Sequence, residues 1–273
     1  MRRSRSAAPI ALLTDFGYRD HYAGTMKGVL ASIAPGAALL DITHGVPPQS
    51  IAAGAIALRE SWRFFPKQTV FLVVVDPGVG TTRLPIAVET RAGARFVGPD
   101  NGVLSLAVRD AGINRVVRLG SIRHRLARLS STFHGRDIFA PAAAFLSRGT
   151  PLGSLGPTLA SIKHLHLPEP DGTASAIRGE VLYVDAFGNL ITNISRKDVA
   201  RLHSSFPGKQ VSVRIKGGAP MKILNTYGEA RSGAILATFG SFELLEIAVR
   251  DASAATRLGC GVGVTVVARV TRS

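Results

Sequence analysis

Five consecutive apolar residues, Phe71-Leu72-Val73-Val74-Val75, run directly into a carboxylate and a proline–glycine turn, Asp76-Pro77-Gly78-Val79-Gly80, which continues through Thr81-Thr82 to Arg83. A continuous apolar run reads as a strand covered on both faces, the kind found in parallel sheets with helices on either side. In open α/β sheets the ligand sits beyond the carboxyl ends of the strands. Asp76 therefore stands where a reacting group is placed, and Arg83 is close enough along the loop to fold back on it. The plainer reading, a strand-ending aspartate that caps a turn, also fits the segment taken alone.

The same logic recurs at the start of the chain. Ile10-Ala11-Leu12-Leu13 leads into Thr14-Asp15-Phe16-Gly17. Two strands of one sheet would deliver Asp15 and Asp76 to a common edge. Between them, a helix is expected from His21 to Ala34, stopped by Pro35-Gly36. A strand from Ala38 to His44 follows, then a helix from Ile51 to Arg63 capped by Ser50. After Arg83 the pattern gives a hairpin, Leu84 to Glu89 and Ala94 to Val97, with Gly93 in the turn. Next come a helix from Leu104 to Asp110 and a strand from Val116 to Leu119. Phe133-His134-Gly135-Arg136-Asp137 precedes an Ala-rich helix, Ile138 to Leu146, whose N-terminus would favour anions. His134 is otherwise an exposed loop histidine, and Arg136 with Asp137 a pair across the turn.

Periodicity is lost over residues 147–179, which are rich in Gly, Pro and Ser. Beyond lie short strand candidates: Glu180 to Val184, Leu190 to Ile194, Val211 to Ile215, Met221 to Leu224, Ala234 to Phe239, Leu244 to Val249 and Val262 to Val270. No long helix is expected among them, and the spacing suggests a small barrel or sandwich. The expected fold class is thus α/β: a Rossmann-like N-terminal α/β domain over 8–165, a linker over 166–179 and a C-terminal β-barrel domain over 180–273. Neither a phosphate loop nor a dinucleotide glycine fingerprint is present.

Composition excludes several classes. With 273 residues and a single cysteine, Cys260, the chain has no intrachain disulfide and no Cys-based zinc site. Cys260 is expected to pack within the barrel. No apolar run reaches the ~20 residues of a membrane span. The basic start followed by Ala7 to Leu13 mimics a signal peptide, but that run is short and lacks a small-residue cleavage site. Residues 1–7 are expected as a loose tail and the location as cytoplasmic. The net charge of +15 invites a nucleic-acid reading. The basic residues are scattered, though, apart from Arg2-Arg3-Ser4-Arg5 and the 115–128 segment, and no aromatic residues interleave with them to stack bases. No dedicated nucleic-acid partner is expected.

Six motifs stand in order: Thr14-Asp15-Phe16-Gly17, Asp41-Ile42-Thr43-His44, Val75-Asp76-Pro77-Gly78-Val79-Gly80, Gly98-Pro99-Asp100-Asn101-Gly102, Phe133-His134-Gly135-Arg136-Asp137 and Asp185-Ala186-Phe187-Gly188-Asn189. Through them the sequence closely resembles the S-adenosyl-L-methionine (SAM) hydroxide adenosyltransferases, adenosine-forming SAM hydrolases related to the fluorinase and chlorinase. The resemblance runs from residue 10 to about residue 268. It implies an α/β domain, a β-barrel and a homotrimer with active sites between the N-terminal domain of one subunit and the C-terminal domain of the next. The implied reaction is SAM plus water giving adenosine and L-methionine, with no metal and no cofactor.

Carried over by position, the resemblance implies Asp76, Arg83 and His134 as catalytic and Asp15 as the ribose ligand. Asn189 falls at an adenine contact, and Ser241, Glu246 and Val249 at other nucleoside contacts. Asp185 and the stretch Asp20-His21-Tyr22 match the region that handles the methionine end, with Asp185 suited to an ammonium group, and Phe187 is implied as a further substrate-binding residue. The halogenating relatives carry an extra loop and lack the Asp/Arg/His set. Here Arg83 passes through Leu84-Pro85 directly into a strand, which favours water as nucleophile. The chemistry asks for a water in line with C5′, opposite a sulfur that leaves as a neutral thioether. His134 titrates near neutral pH, and whether it or Asp76 takes the proton stays open. The rivals are a halogenase of the same superfamily, a SAM- or adenosine-binding protein without turnover, and a basic nucleic-acid module.

Overall fold

The structure, a computed structural model, describes residues 7–271. The tail expected over residues 1–7 lies outside them except for Ala7. The chain divides into two compact units, Met1–Leu165 and His166–Ser273.

The first unit follows the apolar patterning. Its strands are β1 (Ile10–Thr14), β2 (Leu39–Thr43), β3 (Val70–Val74), β4 (Pro85–Thr90), β5 (Arg95–Pro99) and β6 (Ile113–Arg118). They form one sheet among the described residues, in the order β2-β1-β3-β5-β4-β6. β1, β2, β3 and β5 pair in parallel, while β4 runs antiparallel to both β5 and β6. Four helices cover the faces: α1 (Tyr22–Ile33), α2 (Ile51–Ser61), α3 (Ser105–Ala111) and α4 (Ala140–Ser147). Because strand side chains alternate faces, the fully buried β1 and β3 feed two cores. Ile10, Leu12, Val70, Leu72 and Val74 join Met26 and Leu30 of α1 and the alanines of α4. Ala11, Leu13, Phe71, Val73 and Val75 join Leu58 of α2 and Ala107 of α3.

Two local details depart from expectation. The helix expected to Arg63 is α-helical only to Ser61, then tightens into a 3-10 turn, Trp62–Phe64. The helix expected from Ile138 is entered through a π-helical turn, Gly135–Phe139, before the α-helix begins at Ala140. Ser50 caps α2 as expected, accepting from the Ala53 N–H.

The second unit is built from β7 (Asp171–Thr173), β8 (Ala176–Val184), β9 (Leu190–Ser195), β10 (Val211–Ile215), β11 (Met221–Lys222), β12 (Ile235–Phe239), β13 (Leu244–Val249) and β14 (Thr265–Val270). Their order is β11-β10-β14-β8-β9-β13-β12, with β7 paired to β8. A parallel bridge from Ile223 to Ala237 and a 2.8 Å bond from Leu224 N–H to the Ala237 carbonyl join the two ends. The sheet is thereby nearly closed into a barrel, filled by Val181, Leu190, Ile194, Val213, Ile247 and Val266, with Cys260 packed at the margin.

β7 and the start of β8 occupy part of the stretch expected as linker. The expectation of no long helix in this half is corrected by α5 (Arg196–Ser205), which follows β9 directly; a short α6 (Ala254–Leu258) precedes β14. α5 buries only Val199 and Leu202, so its apolar periodicity is faint, but it opens on a full Ser195/Asp198 capping box. No helix among the described residues is long and apolar enough to cross a membrane.

Candidate active site

Thr14 at the end of β1 lies opposite Val74 at the end of β3. The next residues, Asp15 and Val75-Asp76, therefore leave the sheet side by side. Both carboxylates line a cavity of about 380 Å³ with Tyr22, Gln49, Phe133 and His134.

Asp76 is gripped by Arg83 across the glycine loop. The Arg83 Nε donates to both carboxylate oxygens, at 2.8 and 3.1 Å, and its Nη2 donates to Oδ2 as well. The two side chains are only 5% and 6% exposed, and the guanidinium lies 5.2 Å from the centre of the Phe139 ring. The same Nη2 reaches Nδ1 of His134 at 2.9 Å. Arginine has no acceptor, so Nδ1 is the acceptor and the neutral ring carries its proton on Nε2. Burial, followed by the positive charge of Arg83, holds the His134 pKa below the usual histidine value.

Two backbone features bring His134 to Arg83. It stands at the N-terminal end of the π-helical turn, a distortion that recurs at functional sites. Gly80, at φ +78°, lets the 76–83 loop close on the preceding segment: a Cβ there would lie 2.7 Å from the Ser131 carbonyl. The expected Arg136–Asp137 pair is present, with Nε to Oδ1 at 2.5 Å, and the Ser130 N–H donates to Asp137 at 2.6 Å.

Asp15 accepts the main-chain N–H of Gln49 at 2.7 Å through Oδ2. Tyr22 packs edge-to-face on Phe133 at 5.2 Å and stacks on His21. Asp20 is exposed and does not line this cavity.

The C-terminal candidates meet in a second cavity, of about 740 Å³, in the barrel unit. Asp185, Phe187, Asn189, Ser241, Glu246 and Val249 all line it. Asp185 closes its own turn: Oδ1 accepts the N–H groups of Phe187 and Asn189 at 2.9 and 2.8 Å, and Oδ2 accepts from Asn189 Nδ2 at 3.0 Å. The Asn189 amide is thereby fixed with Oδ1 as its free acceptor. Phe187 is 79% exposed at the tip of that turn.

Tyr227, which sequence reasoning missed, donates its hydroxyl to the buried Glu246. Burial raises the Glu246 carboxyl, more than Tyr227 lowers it, and the phenol is itself pushed up. Arg250 pins the tyrosine's loop through the carbonyls of Ala230 and Gly228, at 2.6 and 3.0 Å. No periodic or turn signal marks Tyr227 in the sequence.

Residues 10–156 match the model of the SAM hydroxide adenosyltransferase N-terminal domain, and residues 179–267 that of the C-terminal domain. The chain belongs to the SAM hydroxide adenosyltransferase family. Within it, an (R)-S-adenosyl-L-methionine hydrolase of Thermus thermophilus is 40% identical over 267 residues, 94% of this chain and 98% of that protein. The crystal structure of a conserved protein from Thermotoga maritima superposes with a TM-score of 0.86 at 36% identity, covering 95% of this chain and 99% of the other. A fluorinase of Nocardia brasiliensis is more distant, 28% identical across 96% of each chain.

Proposed function

We infer that this chain hydrolyses SAM to adenosine and L-methionine. The observation that carries the reading is the contiguous Asp76–Arg83–His134 set at the edge of the sheet, in a chain with relatives named SAM hydrolases at 40%, 37% and 36% identity. We extend to it the R configuration at sulfur that the Thermus name specifies.

The oxygen of a bound water attacks C5′, the C5′–S bond breaks, and its electron pair leaves on sulfur as the neutral thioether of methionine. No acid is needed at sulfur. The water proton must go to a nearby base. With Nδ1 of His134 taken by Arg83 and Nε2 carrying a hydrogen, the ring is a donor that holds the water oxygen. That polarity supports Asp76 as the acceptor, its oxygens retaining lone pairs beyond those given to Arg83. Asp15 suits the ribose hydroxyls, because a carboxylate only accepts. The free Oδ1 of Asn189 suits an exocyclic amino group such as that of adenine. Asp185, held within its own turn, serves to orient Asn189; a direct bond to the methionine ammonium would use a remaining lone pair. Ser241, Glu246, Val249 and Phe187 line the second cavity and Tyr22 the first, which supports the substrate contacts that the family resemblance implies for them; Asp20 lines neither cavity.

The proposal includes a homotrimer in the cytoplasm that pairs the first cavity of one subunit with the second cavity of the next, and a reaction without metal or cofactor. The halogenase reading is disfavoured by the immediate passage from Arg83 into β4 at Pro85. The deciding experiment incubates the purified protein with SAM, with and without chloride, and separates the products. Adenosine and methionine are expected without halide. A chlorinated nucleoside formed only with chloride would make the protein a halogenase, and bound SAM or adenosine without turnover would make it a binding protein.

A further inference from the structure

His44, just past the end of β2, has no role in the reaction described above, yet it is fully buried. Its Nδ1 lies 2.8 Å from Thr14 Oγ1 and its Nε2 3.2 Å from Asp41 Oδ1. The other oxygen of Asp41 accepts from Lys27 Nζ at 2.7 Å. The direction of this chain is set from the carboxylate end. An ionised Asp41 can only accept, so Nε2 carries the hydrogen; Nδ1 of the neutral ring then accepts the Thr14 hydroxyl hydrogen. That leaves Thr14 Oγ1 to accept the Phe16 N–H at 3.3 Å. Separately, the His44 carbonyl accepts the Gly17 N–H at 2.7 Å. His44 thus fastens the residue before Asp15 and, directly or through Thr14, the two residues after it. Burial keeps the ring neutral, its pKa lying below the usual histidine value.

We propose that His44 is a positioning residue: through Thr14 and Gly17 it sets the turn that aims the Asp15 carboxylate at the ribose hydroxyls of the substrate. The inference rests on the reading of Asp15 given above. A residue that merely fills the core would not need a hydrogen-bond chain with a single consistent direction ending on the Asp15 turn.

The test uses binding of adenosine and of 2′,3′-dideoxyadenosine by calorimetry, which needs no turnover, alongside KM and kcat for SAM. The Gln side chain in His44→Gln can place its amide N–H near the Nε2 position, towards Asp41, with its oxygen away from the Nδ1 position, whereas the shorter Asn side chain in His44→Asn can place its amide oxygen near the Nδ1 position, towards Thr14. Adenosine is expected to bind His44→Gln about tenfold more weakly, the worth of one hydrogen bond to a charged group. The dideoxy compound should bind it as it binds wild type, and His44→Asn should recover most of the loss. In the Asp15→Ala background His44→Gln should add nothing. Thr14→Val against Thr14→Ser poses the same question with the histidine intact and decides the matter if the His44 variants do not fold.

Equal loss for both nucleosides, full additivity with Asp15→Ala, or unchanged adenosine affinity in His44→Gln and Thr14→Val would overturn the inference. Absence of SAM turnover in the wild-type protein would instead overturn the proposed activity, with the nucleoside affinities still deciding on His44.

Discussion

Arg83 bridges Asp76 and His134 with one guanidinium, donating to the carboxylate on one side and to Nδ1 at 2.9 Å on the other. The aspartate and the histidine are therefore not partners of each other. Each is oriented by the arginine, and the two present opposite polarity, an acceptor and an N–H donor.

Replacing Arg83 should accordingly damage both neighbours. Arg83→Ala leaves a nearly buried carboxylate unpaired, which costs about 3–5 kcal/mol of stability, and should lower kcat about 100-fold or more through lost electrostatic preorganisation. Arg83→Lys restores the charge but not the fork, so it should recover stability better than kcat. Thermal melts and steady-state kinetics on the two variants check both parts.

The acid side of the pH profile should be displaced. Because burial and Arg83 depress the His134 pKa, the neutral ring persists below the ordinary histidine value of about 6.5, and kcat/KM should begin to fall only below it. The stability term has the same sign. A depressed folded pKa means the unfolded chain binds the proton first, so the contribution is complete above about 6.5 and is lost as pH falls through the folded value. His44, depressed likewise by burial, adds to that loss. Profiles of kcat/KM and Tm over the acid range test this, and His134→Gln should remove the His134 part of the kinetic limb while leaving the His44 part of both the limb and the stability change.

SAM mixed at sulfur should be consumed unevenly, the R epimer first. Attack at C5′ leaves the sulfur substituents to be distinguished only by where the methyl group packs. One misplaced methyl is worth about 10–200-fold. Following the two methyl resonances by NMR during turnover gives the ratio directly; equal rates would show that the R designation of the Thermus relative does not extend to this chain.

Tyr227→Phe should raise KM with little change in kcat, because its partner Glu246 lines the barrel cavity, whose residues are proposed to bind the nucleoside and not to carry the chemistry. Leaving the buried carboxyl without this donor should also cost about 1–3 kcal/mol. KM for SAM and a denaturant titration measure the two effects.

Which parts were legible in the sequence follows from how local each signal is. β1 and β3 could be read from apolar runs because both faces are buried, and the carboxylates at their ends came with them. Arg83 was readable because only seven positions and a glycine loop separate it from Asp76. His134 was reached through ordered motifs alone, since nothing in its own segment encodes the π-helical turn that places it. α5 was missed because two buried residues make no period, although Ser195 and Asp198 at capping-box spacing were available. Tyr227 depends on a contact with Glu246 on β13, too far along the chain for any local pattern to show it.

Gly80 and Gly93 separate backbone strain from function. Both have left-handed φ, +78° and +92°, but a Cβ at Gly80 would lie 2.7 Å from the Ser131 carbonyl, while none of the surroundings comes within 4 Å at Gly93. Alanine at either position carries the left-handed penalty of about 1–3 kcal/mol. Only at Gly80 must a second backbone segment move, and that segment leads straight into Phe133 and His134. Gly80→Ala should therefore lengthen the Arg83–His134 contact and lower kcat about tenfold or more, as small misplacements of catalytic groups do. Gly93→Ala, in the β4–β5 hairpin turn, should lose stability by the left-handed penalty alone, with kcat intact. Equal kcat in the two variants at matched folded fraction would show that the approach of the 76–83 loop to Ser131 is not what positions the histidine.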